Sequence, residues 1–339
     1  MTLAHLVVHH GNEAHATGHH LVAGLRSLGV LVTEVGVGHD AELGDAPRDA
    51  PLLWIESGCA SFPLPADLTG RRCAAWLIDT HRGLEWRGPL ATAFDHCFVA
   101  QLDAVPHVEQ LGVSTSWLPL ASFDAGTSAP QQERSRDVGF VGFVEAGSRR
   151  EKILDRIATD FDLYRNHEFV SAAEIPAWYR QVSIVLNVPL AQDLNMRVFE
   201  AASAGASVVT GPMNGLAELE MSDGVYLVDS DDPADWSRAV QSALDDVDRA
   251  EAAQRLQAVV LAEHTYVQRA QRVLDTLDGC AVARHDIDER RRVISAAAVH
   301  RHAMRQAWAA AETNRVRFGS GVPEAARELA RTIRRRITR

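Results

Sequence analysis

Along most of this 339-residue chain, short apolar runs alternate with stretches whose apolar positions recur at helical spacing. Strands alternating with helices of this kind predict βαβ units and parallel sheets. A first series runs through "LAHLVV" (3–8), a helix over 14–28, "VLVTEV" (30–35), "PLLWIE" (51–56), "CAAWLID" (73–79), "HCFVA" (96–100) and "TSWLPL" (115–120). The polar, small-residue stretch "ASFDAGTSAPQQERSR" (121–136) interrupts it and reads as a linker.

A second series follows. The runs "DVGFVG" (137–142), "DFDLYR" (160–165), "SIVLNV" (183–188), "ASVVTG" (206–211) and "GVYLVD" (224–229) predict strands with helices between them, one over 148–158. From 233 to 277 the pattern is helical, and so is the tail beyond 281. The expected fold class is α/β, with two Rossmann-like domains in tandem. The divisions are 1–122, a linker at 123–136, 137–280, and a helical extension at 281–339.

Composition narrows the function classes. Hydrophobic residues make up 46% and charged residues 23%, a globular balance, and no apolar run approaches the roughly 20 residues of a membrane helix. The N-terminal stretch lacks a basic start and a small-residue cleavage site, which leads us to expect a cytoplasmic protein without a transmembrane segment. Cys59, Cys73, Cys97 and Cys280 form no CxxC pair and read as free thiols. A net charge of −11 argues against nucleic acid as a partner. Residues 284–339 nevertheless carry fourteen Arg against six acids, so the tail is locally basic. It reads as a solvated helix or one docked on the acidic body, with membrane-surface or polyanion contact, or self-association, as other uses. Lys152 is the single lysine, which disfavours Schiff-base and pyridoxal chemistry.

Chemistry-bearing residues gather where open α/β sheets bind ligands, beyond the carboxyl ends of strands. Gly139 and Gly142 flank the first strand end of the second series, and Arg149 and Arg150 open the next helix. The stretch "NMRVFEAASAGASVVTG" (195–211) reads as a helix running into a strand, with Arg197 and Glu200 near its start and small residues behind. Helix N-termini and arginines suit a diphosphate. A carboxylate suits the two hydroxyls of a ribose. Asn187 and Asp193 lie just upstream. A plain ion pair between Arg197 and Glu200, worth a few tenths of a kcal/mol, is the other reading.

The segment "RVFEAASAGASVVT" resembles the donor-site segment of GT-B glycosyltransferases of the group 1 type. With "HTYVQRAQRVLDTL" (264–277), "LLWIESG", "CAAWLIDTH", "FDHCFVAQLDAV" and "SWLPLA", the chain resembles the spore-maturation-protein-CgeB-like glycosyltransferases over about 50–277. The resemblance implies a GT-B pair of domains across a cleft, with a nucleotide-diphosphate-sugar co-substrate on the C-terminal domain. It implies that Glu200 holds the ribose and that Arg150 and Arg197, with Arg149 and Gly142, serve the diphosphate. Many GT-B enzymes carry a Glu-x7-Glu pair. Here Gln192 stands eight before Glu200, so the sugar contact falls to Asp193 or Asn187. "YRNHEF" (164–169) is a candidate for the base pocket.

The N-terminal domain is then expected to hold the acceptor. Its strand ends offer His9, His10, Gly11 and Asn12, then Glu56 and Ser57, then Asp79, Thr80 and His81. Asp79 or His81 fits a catalytic base, and His81 also fits a positioning donor. Capping of the following turn is the structural reading of Asp79. His15 and His19 have metal-ligand spacing, but no acid or Cys completes an obvious set. We expect no metal, no cofactor, and transfer by retention to an acceptor hydroxyl on a metabolite, glycan or protein. A catalytically silent GT-B binding module and a nucleotide-sugar epimerase are the alternatives.

Overall fold

The computed structural model describes residues 3–11, 13, 16–35, 47–56, 62–122, 134–166, 170–171, 174–282 and 286–318, with backbone alone at 305 and 307–318. Two all-parallel sheets form the framework. The first has six strands, β1 (His5–His9), β2 (Leu31–Val35), β3 (Leu52–Glu56), β4 (Cys73–Leu77), β5 (His96–Val99) and β6 (Thr115–Trp117), in the order β2-β1-β3-β4-β5-β6. Helices α1 (Thr17–Ser27), α2 (Pro65–Leu68), α3 (Leu84–Ala91) and α4 (Val105–Glu109) lie between its strands in sequence. β3 and β4 are buried at every position, as strands covered on both faces must be. β2 closes the edge and carries the exposed, more polar sequence.

The second sheet has five strands, β7 (Arg136–Phe140), β8 (Leu163–Arg165), β9 (Val182–Asn187), β10 (Ser207–Thr210) and β11 (Val225–Leu227), in the order β11-β10-β9-β7-β8. Helices α5 (Arg149–Asp160), α6 (Ile175–Arg180), α7 (Met196–Ser203) and α8 (Pro233–Asp245) connect or follow them. Ser148 starts α5 in a regular way, its hydroxyl accepting from the Glu151 N–H. After them come α9 (Arg249–Glu263), α10 (Tyr266–Gly279) and α11 (Ile287–Phe318). Every strand expected from the sequence is present, most of them one to three residues shorter.

The last two helices return to the first sheet. α10 leaves a capping box at Thr265–Gln268 and lies along α1. The approach is close: a Cβ on Gly24 would stand 2.6 Å from the Tyr266 carbonyl oxygen. Leu6, Leu21 and Leu25 share one apolar core with Val198, Phe199, Ala270, Val273 and Leu274, so the two domains are joined by buried hydrocarbon. Arg269 is fully buried at this junction, donating to the carbonyls of Pro119 (2.8 Å), Leu120 (3.2 Å) and Glu263 (3.2 Å). The first half of α11 docks beside α2 and α3. Its Arg290 donates to the carbonyls of Ala93 (3.0 Å) and Leu68 (2.8 Å), and Ile294 and Ala297 enter the core around Trp54. The basic extension is therefore, in this part, docked on the N-terminal domain. Cys73 and Cys97 are buried free thiols and Cys280 is a half-buried one, while Cys59 lies outside the described residues.

Candidate active site

At the carboxyl edge of the second sheet, β7 ends at Phe140 and the chain turns through Gly142. That residue sits at φ +149°, and a Cβ there would meet an Arg197 terminal nitrogen at 2.2 Å. The positive φ favours glycine, and any side chain there would push the Arg197 guanidinium aside. Arg197, in the first turn of α7, donates from Nε to the Val141 carbonyl (2.7 Å) and from a terminal nitrogen to Asn187 Oδ1 (2.8 Å). Its guanidinium lies 4.6 Å from the Phe140 ring centroid. Asn187 is wholly buried at the end of β9. Its oxygen also accepts from Asn195 (3.0 Å), and its nitrogen donates to Thr210 Oγ1 (3.0 Å). Asn187 thus holds Arg197 in place, and both ends of its amide are engaged within the protein.

Arg150 reaches the same region from α5. Two of its nitrogens donate to the Val188 carbonyl (3.1 and 2.7 Å) and a third donates to Phe143 (2.7 Å). A guanidinium has five N–H donors, so two remain. Burial, then the charge of Arg197, pulls its pKa down to about 10; Asp193 opposes the shift, and Arg82 adds to it. Arg82 follows β4 on the other domain and is exposed, and its charge is felt at Arg150. It was missed in the sequence, although it directly follows "LIDTH". Asp193 lies in the loop before α7, half-buried, with Oδ1 accepting from the Leu190 N–H (2.9 Å). Arg149 behaves differently. It is paired with Asp231 (2.5 Å), donates to the Ser230 carbonyl (3.1 Å), and lines a cavity of about 330 Å3 with Pro189, Gln192, Gly211 and Asp229.

Glu200 is 8% exposed, behind Arg197 on α7. Burial pushes its pKa up to about 7, against the pull of the Arg197 charge and a hydrogen bond from the Tyr179 hydroxyl. It is therefore a carboxyl with a neutral-range pKa, next to a cation, at the edge of the sheet. Tyr164 is stacked on Trp178 at 4.7 Å between ring centroids, and residues 167–169 of the suggested base pocket lie outside the described residues.

On the N-terminal domain, the turn after β4 is pinned by Thr80, whose buried hydroxyl donates to Gln101 Oε1 (2.6 Å). Asp79 makes no side-chain cap of that turn. Burial raises its pKa, as does the charge of Glu56, with His81 and Arg87 opposing. Glu56 is itself committed to a bidentate pair with Arg87 (3.0 and 3.0 Å). His81 is half-buried, and its Nδ1 has no hydrogen-bond partner among the described residues. A carboxylate of raised pKa and an uncommitted imidazole nitrogen suit proton transfer or oxygen positioning.

The remaining acceptor candidates are less open. His9 and His10 are fully buried at the end of β1, and burial, followed by the charges of His10 and Arg301, lowers the His9 pKa to about 4. Gly11 is buried, and Asn12 and His15 lie outside the described residues. The acid that the sequence did not supply for the histidine group is Glu34, at 3.0 Å from His10 and 3.4 Å from His19. Its contribution comes through β2 pairing beside β1, which sequence spacing does not reveal.

Solved structures share this architecture. An α,α-trehalose-phosphate synthase (UDP-forming) from Burkholderia vietnamiensis matches at TM-score 0.53 and 11% identity, covering 72% of this chain and 74% of that one. A trehalose-6-phosphate synthase studied for glycosyl transfer with retention matches at TM-score 0.54 and 12% identity, over 72% and 77%. The chain has the GT-B fold. In sequence, residues 140–275 match a family described as glycosyl transferase-like, a span from the end of β7 to the last turns of α10. A D-inositol 3-phosphate glycosyltransferase of Paenarthrobacter aurescens (strain TC1) is 31% identical over 99 residues, which are 29% of this chain and 24% of that protein. The aligned part thus spans about a quarter of that curated relative. Among the described residues of this GT-B chain, no helix is long and apolar enough to cross a membrane.

Proposed function

We propose that this GT-B protein is a glycosyltransferase of the group 1 type, close to the CgeB-like enzymes. It moves a sugar from a nucleotide-diphosphate donor to an acceptor hydroxyl. The observation that carries the reading is the convergence of Arg150 and Arg197 beside Gly142, with buried Glu200 behind them and the charge of Arg82 felt at Arg150 from the other domain. Three cations against Asp193 and a Glu200 whose carboxyl is pushed towards its neutral form favour a polyanion such as a diphosphate. In its ionised form Glu200 accepts from the ribose hydroxyls. The match of residues 140–275 to a glycosyl transferase-like family supports the same placement.

Arg150, Arg197 and Arg82 take up the charge that develops on the leaving diphosphate, so this step uses no divalent ion. Retention is supported by the group 1 resemblance. Asp79 and His81 face the transferred sugar from the N-terminal domain and orient or deprotonate the acceptor.

The test is thermal stabilisation by UDP, GDP, ADP, CMP and dTDP with their sugar conjugates, beside a turnover assay that reads release of the nucleotide. One nucleotide stabilises the wild type, a ligand at 100 times its Kd adding about 2.7 kcal/mol, and Glu200→Ala abolishes the effect. Stabilisation without any turnover would favour the silent module, a reading that Gln192 in place of the first Glu supports. Interconversion of the free nucleotide-sugar would favour the epimerase. No stabilisation by any nucleotide sinks the donor site.

A further inference from the structure

We propose that His10, His19 and Glu34 form a binding site for one divalent transition-metal ion, Zn2+ fitting best, on the N-terminal domain. His10 follows β1, His19 lies in the first turn of α1, and Glu34 is on β2, in register with Val8 of β1. Glu34 Oε1 stands 3.0 Å from His10 Nε2 and 3.4 Å from His19 Nδ1, and the three ligand atoms lie within 4.8 Å of one another. Tetrahedral zinc at roughly 2.0–2.2 Å from N and O ligands holds those ligands about 3.3 Å apart, so little adjustment is needed.

The hydrogen bond on the far side of His10 is the independent observation. Its Nδ1 lies 2.6 Å from the Gly11 carbonyl oxygen. A carbonyl only accepts, so Nδ1 carries the proton. Nε2 is then the ring nitrogen turned to the Glu34 carboxylate, the side on which a metal ion would bind. A histidine that gives its other N–H to a backbone carbonyl is the usual arrangement around a metal-bound imidazole. His10 is fully buried, so its ring is held in place by its surroundings. The setting is also built for the ring: a Cβ on Gly18 would fall 2.1 Å from His10 Cγ, so α1 can lie against the imidazole only with glycine there.

Arg26 occupies the other carboxylate oxygen, Oε2, at 3.1 Å and leaves Oε1 to the ion. Three protein ligands leave one coordination position, and the partly exposed side chains of His19 (34%) and Glu34 (28%) place the open side of the group there. Zinc thus ties the two ends of the β1–α1 connection to β2. The site shares no residue with the diphosphate region, and the inference does not depend on the donor reading.

The test uses the full chain, stripped with chelator, titrated with Co2+ and then Zn2+, alongside His19→Ala and Glu34→Gln. One equivalent of Co2+ should give the intense visible bands of a four-coordinate site, and Zn2+ should displace it. Loss of a ligand should weaken binding by at least ~100-fold, since loss of an outer partner alone costs 10–100-fold. His19 is partly exposed, and circular dichroism checks that its variant keeps the fold. Absence of a one-equivalent site in the wild type overturns the proposal, and so does wild-type affinity in folded His19→Ala. Nucleotide stabilisation measured with chelator present reports on the donor site separately.

Discussion

At the residue scale, Glu200 links stability to pH. Its folded pKa of about 7 lies above the ordinary 4.5. The native state therefore holds the proton more tightly than the unfolded chain does. Stability is greatest below about pH 4.5 as far as this group is concerned, and falls as pH rises to 7, by on the order of 3 kcal/mol. Glu200→Gln should remove that fall, and urea denaturation of both proteins at pH 5 and pH 8 measures it. Nucleotide affinity should move the opposite way, since the ribose needs the carboxylate: it should weaken as pH drops through 7. Arg197→Ala should cost roughly 1.5–3 kcal/mol of nucleotide binding, the range for hydrogen bonds to charged groups, read by calorimetry. His81→Ala and Asp79→Asn should lower turnover while leaving nucleotide affinity near wild type. A fall in affinity equal to the fall in turnover would place those residues elsewhere.

Among the elements, α10 carries the strongest prediction. Arg269 is buried among carbonyls of the segment after β6, and truncation strands those acceptors without water. Arg269→Ala should destabilise the protein by about 1–3 kcal/mol per stranded group, read as a lowered denaturation midpoint. A change under half a kcal/mol would mean that water replaces the guanidinium. The elements themselves were legible because each strand is a short apolar run between helical patterns, as in "LLWIE" and "SIVLN". The group around Arg197 was legible in part, since a strand-to-helix junction is visible in sequence. The roles within it were not. Asn187 holds the guanidinium instead of standing open, and Arg149 is spent on Asp231. Arg82 and Glu34 come from other strands, and only the folded sheets bring them near their partners.

For the whole molecule, α11 extends the N-terminal domain, although it comes last in the chain. Arg290, Ile294 and Ala297 fill a seam beside Ala93, Leu68 and Trp54. A chain ending at 280 should lose thermal stability and expose apolar surface to a hydrophobic dye, while keeping the C-terminal domain's own contacts. Unchanged melting would show that the seam adds nothing. The two passages between the domains are side by side. The Ser122 N–H donates to the His264 carbonyl (3.0 Å), and the Tyr266 N–H donates to Ser122 (3.2 Å). A shared apolar core and two adjacent passages make one seam between the halves, so any change that brings Arg82 towards Arg150 has to be absorbed at that seam.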